Sequence, residues 1–91
     1  MKFRGWESWP PANGCVEQVG VEAKSTGKGP YYVANIGYSY WVDGECYGGV
    51  HTESFTYEIE AIQYADTKRG GSLIVHYNPK RVELSRVFEW V

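Results

Sequence analysis

The residues from Tyr32 to Val42 constrain this chain more than any others. Tyr32, Ala34, Ile36, Tyr38, Tyr40 and Val42 recur at every second position, with Asn35, Gly37 and Ser39 between them. A period of two gathers all six on one face of a β-strand and spreads them around a helix. Asp43-Gly44 follows at once. That pair suits a two-residue type I′ hairpin, whose central residues both need positive φ. A second strand, Glu45 to about Phe55, must therefore return antiparallel. The turn sets its register, because a slip of one residue would turn every side chain to the other face. Val42 is expected opposite Glu45, Tyr40 opposite Tyr47, Tyr38 opposite Gly49 and Ile36 opposite His51. The Tyr38 ring can then cover the bare backbone of Gly49.

The rest of the chain is read around that hairpin. Residues 1–13, with Trp9-Pro10-Pro11 and Asn13-Gly14, read as an irregular lead-in ending in a turn. From Cys15 a strand begins in which Val19, Val21 and Ala23 share a face. Val16 is out of phase with them, and a β-bulge near Glu17-Gln18 restores it. Residues 24–30, with Gly27, Gly29 and Pro30, read as a loop. Residues 57–68 read as a helix with Ile59, Ile62 and Ala65 on its buried side and Ala61 flanking. Glu58 and Glu60 at its start and Lys68 and Arg69 at its end complement the helix dipole. Gly70-Gly71 stops it. A helix this short is marginal alone and must dock on the sheet. Leu73 to Tyr77 forms a compact strand, residues 78–81 a turn, and about Val82 to Trp90 a last strand. The expected fold is α+β: a twisted five-stranded antiparallel sheet in the order β-β-β-α-β-β with one helix packed on it, a single domain over residues 1–91.

Composition removes several functions. Eleven acidic against nine basic residues leave a net charge of −2. A nucleic-acid-binding module normally carries a basic patch, so no nucleic-acid partner is expected. No apolar run approaches the ~18 residues of a membrane helix, and the first residues do not form a signal peptide. The chain as given is expected to be soluble, and membrane-associated only where apolar segments flank it. Two cysteines are too few for a disulfide scaffold. Cys46 is placed opposite Trp41 and Cys15 opposite about Ser39, both on the face away from the core. Two strands then separate them by more than the ~7 Å that a disulfide allows between Cα atoms, so two free thiols are expected.

Several of these segments resemble a known family. They are Trp9-Pro10, Gly14-x-Val16, Tyr38-x-Tyr40-x-Val42-Asp43-Gly44-x-x-Tyr47, Ala61, and Gly71-x-x-x-Val75-x-Tyr77-Asn78-Pro79. In order and spacing they resemble the bacterial domain-of-unknown-function family three-five-nine-two, over roughly residues 9–88. The resemblance implies an antiparallel β-rich domain, commonly flanked by transmembrane helices. It implies no activity, ligand or catalytic residue. Arg69-Gly70-Gly71 departs from the family's usual aromatic-proline-x-glycine entry to the late strand, and the flanking helices are absent.

Chemistry-bearing residues are few. Cys15, Cys46, His51 and His76 lack the close pairing of ligands that zinc sites use, so no metal and no cofactor is expected. His76 alternates against Leu73, Val75 and Tyr77. It is expected on the opposite side of the sheet, under the helix, as a hydrogen-bonded structural histidine. Ser25-Thr26-Gly27-Lys28-Gly29 lacks the order of a phosphate-binding loop and is followed by Pro30. No nucleophile, base and orienter come together, so an enzyme is not expected. The functional signal lies in aromatics outside the core face: Trp6, Trp9, Tyr31, Trp41 and Trp90. Exposed Trp and Tyr mark partner surfaces, stacking sites and membrane interfaces. The leading reading is a non-enzymatic binding or interaction module with an unknown protein partner or membrane neighbour. The alternative is a soluble binder of a small ligand, such as a sugar, in an aromatic-lined groove between sheet and helix. For a membrane setting, Trp6 and Trp90 are expected at one end of the domain and partly exposed.

Overall fold

A computed structural model describes residues 5–91. A 3-10 turn, Gly5–Ser8, leads into β1 (Pro11–Thr26), β2 (Gly29–Val42), β3 (Glu45–Phe55), α1 (Glu58–Lys68), β4 (Ser72–Asn78) and β5 (Arg81–Trp90). The five strands form one antiparallel sheet in the order β3-β2-β1-β4-β5. This is the expected α+β architecture. Lys2 and Arg4, expected to add modest attraction to anionic lipid in a membrane setting, lie outside the described residues.

The central hairpin has the register its turn dictates. Val42 faces Glu45, Tyr40 faces Tyr47, Tyr38 faces Gly49 and Ile36 faces His51. Asp43 and Gly44 take φ of 51° and 85°, as a type I′ turn requires. The Tyr40 and Tyr47 rings stack with centroids 5.7 Å apart. The β1–β2 register shifts between Val16 and Gln18, so Glu17 is the bulged residue and Val16 returns to the core. Cys15 faces Ser39, Cys46 faces Trp41, and both thiols are free and exposed.

Three expectations are corrected. β1 begins at Pro11, so the irregular lead-in is shorter than residues 1–13. Asn13-Gly14 is strand rather than turn, with Asn13 facing Ile74 and Gly14 facing Tyr40 on one side and Leu73 on the other. A Cβ on Gly14 would lie 2.6 Å from the Ser39 carbonyl oxygen, so glycine serves close approach here. Residues 24–30 are not a loop: Lys24, Ser25 and Thr26 pair with Tyr31, Pro30 and Gly29, leaving only Gly27-Lys28 to turn. The Thr26 hydroxyl donates to the Gly29 carbonyl and accepts from the Lys28 amide, both at 3.2 Å, which tightens that turn. The third correction concerns α1. Ala61 and Ala65 are its buried residues, whereas Ile59 and Ile62 are 60% and 39% exposed. The inner face of the sheet is already filled by Ile36, Tyr38, Tyr40, Leu73 and Val75, so only small side chains let the helix axis come close.

The sheet is strongly curled. In a flat sheet β2 and β5 would lie about 14 Å apart, three strand spacings. Yet the Tyr40 hydroxyl donates to the Val82 carbonyl at 2.5 Å, and the Tyr38 and Ser85 hydroxyls meet at 2.8 Å. Trp90 on β5 meets His51 on β3 edge-on, ring centroids 5.4 Å apart. The two edge strands thus face each other across a seam closed by side chains. The β4–β5 register slips opposite Ile74/Val75 and again opposite Tyr77/Asn78, which adds to the bend. The turn between these strands is held by Asn78, whose side-chain oxygen accepts from the Lys80 and Arg81 amides. At the other end of the seam, the Lys68 ammonium sits 4.7 Å from the Trp90 ring centre and 5.2 Å from that of Tyr64.

Candidate binding groove

A groove lies over the seam between β3 and β5. It has a volume of about 480 Å³ and is lined by Trp6, Tyr38, Val50, His51, Thr52, Ser85, Arg86 and Val87. That size falls in the range of small-molecule sites. Three successive residues come from each edge strand, 50–52 and 85–87, so the groove runs along the strand edges and takes side chains from both faces. His51 belongs to the set of β3 residues facing the core side, opposite Ile36, while Val50 and Thr52 alternate to the outer face. Tyr38 crosses from β2 because Gly49, its partner on β3, has no side chain. A Cβ there would lie 2.5 Å from the Tyr38 hydroxyl.

Hydrogen bonds fix the polar groups. Burial holds the Tyr38 hydroxyl above the usual tyrosine range, so the hydroxyl stays neutral beside Ser85. His51 Nε2 is 3.0 Å from a Glu53 carboxylate oxygen, and the ring is packed on Trp90. The Trp6 ring is tilted against His76, centroids 5.9 Å apart. Behind it, His76 stacks on Phe88 at 4.3 Å and 12°.

His76 therefore departs from expectation in two respects. It does face away from Leu73 and Val75, but Trp6 and Phe88 cover it instead of the helix. Its Nδ1 is buried without a hydrogen-bond partner among the described residues, so the ring is held by stacking.

The five aromatics singled out in the sequence do not make one site. Trp6 lines the groove and Trp90 stands behind His51. Trp9 is tied to Trp6 through its amide, which donates to the Trp6 carbonyl at 3.1 Å. Tyr31 and Trp41 sit near opposite ends of β2, about 33 Å apart along an extended strand. Trp41 is 59% exposed, whereas Trp6, Trp9, Tyr31 and Trp90 are half-buried. β1 begins beside Tyr77, whose amide donates to the Pro10 carbonyl, while β5 ends beside Ser72, which accepts from the Val91 amide. The chain thus enters and leaves the sheet at opposite ends of β4. The groove also lies over the seam instead of between sheet and helix. Tyr38, His51, Ser85 and Arg86 were missed as lining because they meet only after the sheet curls. The one signal for them is the Tyr38–Gly49 pairing, which frees a tyrosine to reach past its neighbour strand.

Among the described residues, no three His, Cys, Asp or Glu side chains cluster closely enough to hold a metal ion. No helix among them is long and apolar enough to cross a membrane. The family model described as Domain of unknown function (DUF3592) matches residues 12–90. The chain belongs to the DUF3592 family. No curated protein and no solved structure matches this DUF3592 chain.

Proposed function

We propose that this DUF3592 domain is a non-enzymatic binding module whose site is the groove over the β3–β5 seam. The observation that carries this is the groove itself, a concave surface lined by Tyr38, His51, Thr52, Ser85 and Arg86 beside Trp6. The non-enzymatic reading is supported by how the candidate groups are engaged. Ser85 is paired with Tyr38 and His51 with Glu53, so the histidine is turned to a carboxylate and not to a hydroxyl nucleophile. Small-ligand binding is favoured over a nucleic-acid partner, given the acidic balance of the chain. A place beside a membrane is the second reading. Exposed Trp41 favours it, whereas Trp6 and Trp90 are taken up by His76 and by His51 and Lys68. The entry and exit of the chain at opposite ends of β4 weigh against it.

The test is a fragment screen on the full chain followed by amide and indole NMR shifts. The expected result is at least one fragment whose saturable shifts are confined to Trp6, residues 50–52 and residues 85–87. Shifts that cluster elsewhere, or no saturable shifts at all, would overturn the groove as the site.

A further inference from the structure

We infer that the seam groove takes a sugar acid: a six-membered ring with one apolar face set against Trp6 and a carboxylate held by Arg86. This rests on the groove being the binding site and deepens that reading. Three features of the lining point to the ligand class.

The first is charge. The chain as a whole is acidic, yet the lining among the described residues includes an arginine and no Asp or Glu. Glu53 is engaged with His51 and does not line the groove. Among the described residues Arg86 is the fixed positive charge of the lining, and its planar fork matches a carboxylate with two parallel hydrogen bonds. The second feature is the hydroxyls. Tyr38, Thr52 and Ser85 each bring one donor and two acceptor positions. The Tyr38–Ser85 bond consumes one donor and leaves the other hydroxyl hydrogen and further lone pairs for a ligand. A ligand rich in hydroxyls satisfies such a floor, whereas an all-apolar ring would leave those groups unpaired. The third is the wall. Trp6 is fixed by His76 behind it, so the indole is in place before a ligand arrives. An indole packs well on the apolar face of a pyranose ring.

The experiment is a titration of the full chain, labelled with 15N, against glucuronate, glucose and benzoate. It follows the Trp6 indole N–H and the amides of residues 50–52 and 85–87. Glucuronate is expected to give saturable shifts there and to bind more tightly than either of the others. Arg86 is exposed, so Arg86→Gln should keep the dispersed spectrum and weaken glucuronate by about tenfold, the loss of one charge-assisted pair. It should bring glucuronate close to glucose. Trp6→Leu should weaken both sugars together. Glucose binding as tightly as glucuronate would show that charge is not read and would overturn the inference. So would benzoate binding more tightly than glucuronate, which removes the role of the hydroxyls. Neutral fragments that occupy the groove while glucuronate does not would overturn the sugar acid and leave the groove standing. No ligand of any kind in the groove would overturn both.

Discussion

The Tyr38 hydroxyl on β2 lies 2.8 Å from the Ser85 hydroxyl on β5, although β1 and β4 stand between those strands in the sheet. That contact is reached only because Gly49 leaves a gap where Tyr38 passes. Gly49→Ala should therefore act as an overpacking change. A built Cβ lies 2.5 Å from both Cζ and Oη of Tyr38, and the ring is held in the core. The expected cost is about 2–3 kcal/mol by urea unfolding. Combined with Tyr38→Ala, the two losses should sum to clearly more than the double variant shows, because the clash has then been removed. Simple additivity would contradict the account.

Gly44 has φ of 85° at the tip of the β2–β3 hairpin, with open space where a Cβ would go. Crowding is thus no obstacle, and any cost of substitution comes from the backbone. Gly44→Val should lose about 1–2 kcal/mol, since a β-branched residue resists positive φ. A loss under about 0.5 kcal/mol would count against the turn.

Glu17 offers a pH handle on the bulge. The Ser39 hydroxyl donates to its carboxylate at 2.6 Å and the Cys15 thiol at 3.2 Å, and these bonds hold its pKa below the ordinary 4.5. A carboxyl depressed in the folded state contributes stability that is present above its unfolded value. That contribution is lost as pH falls through the lower folded value. The 13C titration of the Glu17 carboxyl should have its midpoint below 4.5. Ser39→Ala should move the midpoint up more than Cys15→Ala does, and an unchanged midpoint in both variants would be inconsistent with the assigned bonds.

Lys68 ties the end of α1 to the end of β5 through the Trp90 ring. Lys68→Ala should cost about 1 kcal/mol in thermal unfolding, whereas Lys68→Arg should retain most of the contact. The local signature is hydrogen exchange at Val91, whose amide donates to the Ser72 carbonyl at 2.9 Å. Its exchange should quicken in Lys68→Ala. Protection equal to that of the parent chain would mean that the cation holds nothing.

The legible part of this fold is the part set by short-range rules. Alternation from Tyr32 to Val42 and the Asp43-Gly44 turn determine the β2–β3 register residue by residue, and the phase break at Val16 reveals the bulge. The helix is legible as a helix, but its buried side is not. Hydrophobicity favours Ile59 and Ile62, while the close approach of the helix to the sheet buries only Ala61 and Ala65. The groove was hidden for a related reason. It depends on curvature accumulated over two bulged ladders, and no local pattern states how far a sheet has turned when its edges meet. Pro11 and Gly14 carry local turn signals, yet Pro11 starts a strand and Gly14 serves close packing.

β1 pairs with β2 from Gly14 onward and with β4 only through Cys15, so Gly14 and Cys15 alone have ladder partners on both sides. This narrow overlap has a consequence for the order of assembly. The β1–β2–β3 meander closes through tight turns and can form as soon as its residues leave the ribosome. Pro11 to Cys15 must wait for Ser72 and its successors, at the far end of the chain, and such distant pairing is what slows folding. Until β4 and β5 arrive, the meander presents the faces of Ile36, Tyr38 and Tyr40 and the unpaired start of β1 to water. An arrested or truncated chain ending before Ser72 is accordingly the species of this protein most exposed to aggregation, through an open strand edge beside an uncovered apolar face.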